Sequence, residues 1–312
     1  MGLHKEAFKL MLHENCFRPV GGRVLLVGKS TVAMEASVVD SLLGSFGLPR
    51  CSSDLKLNDS QTKASSGKFW IDDVELLQTV FPQITHIDIA DVSDYEGANL
   101  IVDMNQPIDK GFIPRYDFIF DSSVLDNVWN PSQMLINLSH LLSPGGRLLL
   151  HNVASFFPGA LCSMHPEWFY AFFAINDEFA DAKVYLFVEG EESPPFLSTG
   201  HVGALWQYSP LYNSLPDWKS RLSDASRSIK GIAHTLVLAE MGPREFDSAR
   251  IPTNLQYVKS SGALDWASMG IRFERYPRPV VSSETKELDQ KVHNLIDLPH
   301  FSGNYRLCDP LY

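Results

Sequence analysis

The chain has 312 residues, 45% of them apolar and 20% charged, enough for one large core or a core with a small appendage. No apolar run approaches the roughly 18–20 residues needed to span a bilayer, so no membrane association is expected. The net charge of −11 disfavours a broad phosphate-binding footprint and argues against a nucleic-acid substrate.

Residues 4–16 read as an amphipathic lead-in helix. Gly21-Gly22 opens a strand, RVLLVG, and a helix follows over 33–46 with Val38, Val39, Leu42, Leu43 and Phe46 on one face. Residues 50–68 are polar and predict a surface loop. IDDVELLQTVF reads as a short helix, ITHIDIADV as the next strand and ANLIVDMN as another. Tyr116 to Val153 then reads as buried strand, polar loop, amphipathic helix and second buried strand. Met134, Leu135, Leu138, Leu141 and Leu142 recur at helical spacing. Pro144-Gly145-Gly146 stops that helix and turns the chain back, which makes the segment a βαβ crossover.

PEWFYAFFAIN predicts an apolar helix, AKVYLFVE a strand, and GIAHTLVLAEMG a late strand that pairs with it as an antiparallel hairpin. The tail after residue 252 reads as irregular, with a charged helix near 283–297. Strands alternating with helices predict an α/β fold. The expected form is a doubly wound, mostly parallel Rossmann-like sheet with a late antiparallel hairpin, an insertion and a C-terminal tail. The expected divisions are a lead-in helix over 1–20, a main domain over 21–250 with an insertion at 190–230, and a C-terminal extension over 251–312.

The four cysteines, Cys16, Cys51, Cys162 and Cys308, are scattered and share no metal-ligand spacing. The N-terminal MGLHKEAFKLMLHENC lacks the apolar core of a signal peptide. Together these predict a cytoplasmic protein with reduced thiols.

Gly28-Lys29-Ser30-Thr31 invites a phosphate-loop reading, but Arg23 stands where the required earlier glycine belongs. A dinucleotide fingerprint beginning at Gly28 would put Ser30 and Ala33 at its other two glycine positions. A nicotinamide oxidoreductase is therefore a weakly supported alternative. The acidic strand ends carry more. Asp88 and Asp91 fall at the end of ITHIDIADV, where a carboxylate can accept both hydroxyls of a ribose. Asp103 ends the next strand, and Asp121 with Ser122 ends the fourth.

The order strand-Gly, strand with terminal acid, IVDMNQPI, YDFIFDSSVLDNVWNP, LLSPGGRLLL and late hairpin resembles the class I S-adenosylmethionine-dependent methyltransferases over roughly residues 20–242. DVSDYEGANLIVDMNQPI, DNVWNP and HPEWFYAFFAINDEFADAKVYL look more narrowly like a bacterial-type subgroup with a glycine-poor first loop. The resemblance implies S-adenosylmethionine as cofactor and a small-molecule acceptor. It implies that Gly28, Lys29 and Ser30 face the methionine part, that Asp91 or Asp88 holds the ribose, that Asp103 and Met104 contact the adenine, and that Asp121 and Ser122 line the cleft. The departure is the GKSTVA loop, where the family has a GxGxG-type sequence. It motivates the alternative of a methyltransferase-like binding or scaffold protein that does not catalyse.

Methyl transfer needs an aligned acceptor and a group to take its proton. His151 ends the RLLLHNV strand, has a suitable unperturbed pKa, and is the general-base candidate; a hydrogen-bonded structural histidine is the plainer reading. Asn152, His165, Trp168 and Tyr170 are expected to wall the acceptor pocket, with Tyr170 a second catalytic candidate. The plainer reading of the last three is core packing with Phe169, Phe172 and Phe173. Asp126-Asn127 resembles the acid–amide pair of magnesium-dependent catechol methyltransferases, but it follows the fourth strand rather than the fifth. No HxxxH or CxxC spacing is present, so no metal is expected. No GxSxG elbow suggests a hydrolase.

Overall fold

Val24–Val27 in the first strand and Phe118–Phe120 in YDFIF are buried whichever face they point to, as strands in the middle of a parallel sheet must be. The computed structural model describes residues 2–32, 34–51, 55, 57–58, 70–109, 111, 115–189, 204–208, 232–252 and 305–308. Among these, both runs belong to one nine-stranded sheet. Its strands are β1 (Gly21–Val27), β2 (Gln83–Asp91), β3 (Leu100–Ile101), β4 (Tyr116–Ser122), β5 (Leu142–Val153), β6 (Phe179–Glu189), β7 (Ala204–Tyr208), β8 (Ile232–Met241) and β9 (Tyr305–Cys308). The order across the sheet is β9-β7-β6-β8-β5-β4-β1-β2-β3.

The five strands from β3 to β5 are parallel neighbours. β8 inserts antiparallel between β5 and β6, and β7 and β9 extend that edge antiparallel. The winding runs outward from β1 to β3 and then restarts on the other side of β1 with β4. The crevice at the carboxyl ends of β1 and β4 is thus the topological switch point where such sheets bind ligands. This is the doubly wound, mostly parallel sheet with a late antiparallel hairpin that the alternation of elements predicts.

Helices cover both faces. α1 (Lys5–Phe17), α2 (Ala36–Ser45) and α3 (Asp73–Val80) pack on one, against Val24, Leu26, Phe118, Phe120, Leu149 and Leu236. α4 (Pro131–Leu141) and α5 (Pro166–Ile175) pack on the other, against Leu25, Ile119, Leu148, Leu150 and Val237. The crossover helix α4 starts at Asn130, whose side chain accepts the Gln133 N–H, with Pro131 in the first turn. It ends at Leu141. β5 follows directly and takes in Pro144-Gly145-Gly146, so the expected turn is instead an irregular stretch of the strand between Leu142 and Arg147, where Gly145 has φ +76° and a Cβ at Gly146 would lie 2.8 Å from the Tyr116 carbonyl oxygen.

Three further expectations change. ANLIVDMN contributes only Leu100–Ile101 to the sheet, because the Asp103 side chain accepts the backbone N–H of Asn105 and folds the segment into a turn. α2 starts three residues later than its apolar pattern suggests, since Thr31–Val32 is taken up in a parallel pairing with Gly2–Leu3. The 190–230 insertion supplies β7, which widens the sheet. The charged helix near 283–297 and most of the 50–68 loop lie outside the described residues. No described helix is long and apolar enough to cross a membrane.

α1 is anchored by buried charge. Arg147 on β5 donates to the carbonyls of Arg18 (2.9 Å) and Pro19 (2.6 Å) and lies 3.7 Å from Glu14. On β6, Lys183 donates to Asp181 at 2.5 Å. Burial raises the pKa of both Glu14 and Asp181, while Lys183 and Arg147 pull Glu14 back down and Lys183 does the same for Asp181. Replacing Arg147 by Ala removes both carbonyl contacts and one of the two cations that act on buried Glu14. It should cost about 3–5 kcal/mol, measured by chemical denaturation.

Candidate active site

The end of β4 is built around two carboxylates that are fully buried, Asp121 and Asp126. Asp121 accepts the backbone N–H groups of Val124 (2.9 Å) and Leu125 (3.4 Å) and the side-chain amide of Asn152 (3.1 Å). Asp126 accepts the Val153 N–H (2.7 Å) and the Ser123 hydroxyl (2.5 Å), and its own N–H donates to Asn152 Oδ1 (3.1 Å). Ser123, at φ 71°, is the one described non-glycine residue with left-handed backbone. The turn after β4 is thereby locked to the end of β5. Burial drives the Asp121 pKa up to about 7, against the pull of its three donors, and raises that of Asp126 too.

The loop after β1 is closed by the chain's own groups. Gly28 has φ +72° and donates to the Ala90 carbonyl (2.8 Å), and a Cβ there would lie 2.9 Å from Val124 Cγ2. Only glycine permits so close a backbone approach at this point. Lys29 lies 2.9 Å from both Asp72 and Asp73, and the Ser30 N–H donates to Asp73 at 2.6 Å. Lys29 and Ser30 therefore face the start of α3. The pKa of Asp73 is raised by burial, while Lys29 pulls it down.

The two ribose candidates separate. Asp88 lies three residues inside β2 and accepts from Arg23 (2.7 and 3.0 Å), Tyr116 (3.0 Å) and Asn99 (2.8 Å), with His86 Nε2 at 2.9 Å. Those partners use both oxygens. Asp91 ends β2, is half-buried, and has one oxygen engaged by the adjacent Val92 N–H. Asp103 is exposed in its turn, and Met104 is buried in the core under α4.

Alternation along β5 parts the acceptor-pocket candidates. Asn152 points to the α4–α5 face, where Trp168 and Tyr170 pack into the core and His165 caps α5 by accepting the Glu167 N–H. His151 points to the α1 face, opposite to them, so these residues do not form one pocket with it. His151 instead meets two histidines that the sequence reading missed. His4 precedes α1, with its ring centroid 4.8 Å from that of His151. His234 on β8 has Nδ1 3.2 Å from His151 Nε2. Ser122, the register partner of His151 on β4, stands beside this group with its hydroxyl buried and without a hydrogen bond among the described residues. The signal for His234 lay in β8, where His234, Leu236 and Leu238 share a face. Using it required the antiparallel register Leu236↔His151, which pattern alone does not supply. No set of three or more His, Cys, Asp or Glu side chains among the described residues is arranged to hold a metal ion.

No family model matches the chain, and no curated protein does. Solved structures with some likeness include an O-methyltransferase from a trans-AT polyketide synthase multienzyme of Brevibacillus brevis in complex with S-adenosyl-L-homocysteine. It is 11% identical, over 94% of this chain and 84% of that one, with a TM-score of 0.39. Others are a SAM-dependent methyltransferase from Archaeoglobus fulgidus (15%, 76% and 94%, 0.34) and the plantazolicin methyltransferase BpumL in complex with SAH (11%, 76% and 83%, 0.36). At these TM-scores the likenesses carry no functional weight.

The raised pKa of Asp121 means that the folded state holds its proton more tightly than the unfolded chain. The resulting stabilisation is complete below 3.8 and is lost as pH rises toward about 7. Stability of the Asp121→Asn variant should fall less across that window than that of the unmodified protein, as measured by urea unfolding at a series of pH values.

Proposed function

We propose that this chain, whose strand order and strand-end residues suit the class I S-adenosylmethionine-dependent methyltransferases, is an enzyme that transfers a methyl group from S-adenosylmethionine to an O- or N-linked acceptor. The acceptor is a small or medium-sized molecule, in keeping with the net charge of −11, and the enzyme works in the cytoplasm. The observation that carries this reading is the pairing of Gly28 and Asp91 at adjacent strand ends on the switch-point crevice. Gly28 lets the loop after β1 turn tightly against Val124 at the edge of the crevice, and Asp91 offers a carboxylate to a vicinal diol.

The residues divide the work by position. Asp91 holds the ribose, Asp103 and Met104 border the adenine, and Gly28 and Asp121 shape the floor. Lys29 and Ser30 hold the loop to α3 and do not touch the cofactor. S-adenosylmethionine supplies a methyl group already activated on a sulfonium. The protein therefore has only to align the acceptor and remove its proton. His151 is the general base, beside Ser122.

A second reading, a binding or scaffold protein of the same fold, is favoured by the clamped loop. There the Ser30 N–H and the Lys29 ammonium are taken by Asp73 and Asp72, and Gly2–Leu3 pairs across Thr31–Val32. Calorimetric titration with S-adenosylmethionine and S-adenosylhomocysteine, with NAD as control, separates the two. Binding of the first two supports the enzyme, and binding of neither supports the scaffold. Asp91→Ala should weaken cofactor binding by about tenfold or more, a loss of roughly 1.4 kcal/mol. Asp88→Ala should chiefly lower the melting temperature, because it leaves the buried Tyr116 hydroxyl without its acceptor.

A further inference from the structure

We propose that Asn137 on α4 is the positioning residue of the purine end of the site: its amide fixes the segment from Asp103 to Ile108, and with it the preference for a purine that carries an amino group; this rests on the methyltransferase reading above. Residues 103–108 follow the two-residue β3 and belong to no helix or strand. The last described backbone bond to β2 runs from the Val102 N–H to the Asp91 carbonyl (2.8 Å). Beyond it the backbone groups need other partners. Asn137 supplies them. Its Nδ2 donates to the carbonyls of Met104 (3.1 Å) and Gln106 (2.8 Å), and its Oδ1 accepts the Ile108 N–H (3.4 Å). Gln133, one turn earlier on α4, donates its Nε2 to the same Oδ1 (2.9 Å). Both amide hydrogens and both acceptor positions are used, which gives the amide a single orientation.

Asn137 is 1% exposed and lies among the buried Met134, Leu135, Leu138 and Leu141 of the same helix. Asparagine is a poorer helix former than leucine, and a buried amide gains little over an apolar side chain of that size. Its value there is that a fully bonded buried amide selects one arrangement of its partners, where apolar contacts allow several. What it selects is the place of Asp103. Asp103 is exposed, and its Oδ1 accepts the backbone and side-chain N–H groups of Asn105 (both 2.9 Å). These donors hold its carboxyl below the usual range, so it is an ionised acceptor. Its Oδ2 has no partner among the described residues. Asn105 Oδ1 in turn accepts the Asn130 N–H (3.0 Å), so the turn is tied to the start of α4 as well. A carboxylate placed in this way accepts from the amino group of adenine and is repelled by the carbonyl that hypoxanthine has at the same ring position. Asn137 itself does not touch the cofactor.

The test is calorimetric titration of the purified full chain with S-adenosylhomocysteine and with S-inosylhomocysteine, which has the ring carbonyl in place of the amino group. The unmodified protein should prefer the adenine form by about tenfold or more. Asn137→Leu keeps the size of the side chain and should abolish that preference. Gln133→Ala removes only the bond that steers the amide, at a half-buried position where alanine suits the helix, and should lower the preference by about threefold. It decides the matter where Asn137→Leu does not fold. Asn176→Ala is the matched control. That buried amide clamps backbone in the same manner, donating to the Phe172 and Arg250 carbonyls and accepting the Arg250 N–H, but it does so beside the start of β6, at the opposite edge of the sheet. Asn176→Ala should lower the melting temperature and leave the preference unchanged. Equal binding of the two ligands by the unmodified protein, a preference that survives in folded Asn137→Leu or in Gln133→Ala, or an equal loss of it in Asn176→Ala overturns the assignment. If S-adenosylhomocysteine binds and the preference fails these tests, only this inference falls. If S-adenosylhomocysteine does not bind, the methyltransferase reading falls and takes the purine site with it.

Discussion

Two carboxylates with no exposure to water, Asp121 and Asp126, set the geometry at the carboxyl ends of β4 and β5. A parallel sheet holds its strands at a fixed spacing but leaves the loops at their carboxyl ends free to wander. Here the loop after β4 is tied back through Asp121 to its own backbone, through Asn152 to β5, and through Asp126 to Val153. Each of these bonds has at least one buried partner, where breaking it exposes an unsatisfied group and costs more than the bond is worth in water. The left-handed Ser123 is kept in place by this network, which outweighs the local strain of its backbone. Gly28 then fits beside Val124 because that residue's position is already fixed.

Much of the fold was legible because its determinants are local. The crossover from β4 through α4 to β5 announces itself in helical spacing, a proline at the helix start and two glycines after its end. The late hairpin is similarly plain. The third strand was overread, because LIVDMN is apolar enough for a strand while Asp103 and Asn105 prefer a turn. The widening of the sheet by β7 and β9 had no local signature. Their partners lie far away in the chain, and pairing of that kind is decided by tertiary context.

The surroundings of the candidate site residues were less legible than the fold. Strand-end acids could be named from sequence, but that Arg23, Tyr116 and Asn99 converge on Asp88 and leave Asp91 with one engaged oxygen could not. His151 was visible as a histidine at a strand end. Its companions were not, since His4 and His234 come from opposite ends of the folded unit and meet it only through strand register. Grouping His165, Trp168 and Tyr170 with it failed for an elementary reason: adjacent residues on a strand face opposite ways, and only Asn152 shares their side.

Both borders of the large sheet are short. β3 has two residues and β9 four, and the latter contains Arg306. A border strand is where a foreign chain can add itself by backbone hydrogen bonding, and brevity and charge are the usual defences. β9 comes from a segment almost a hundred residues beyond its neighbour β7, so that border is formed by a stretch distant in sequence. Loss of that segment would move the border from four-residue β9 to five-residue β7, a longer template for self-association.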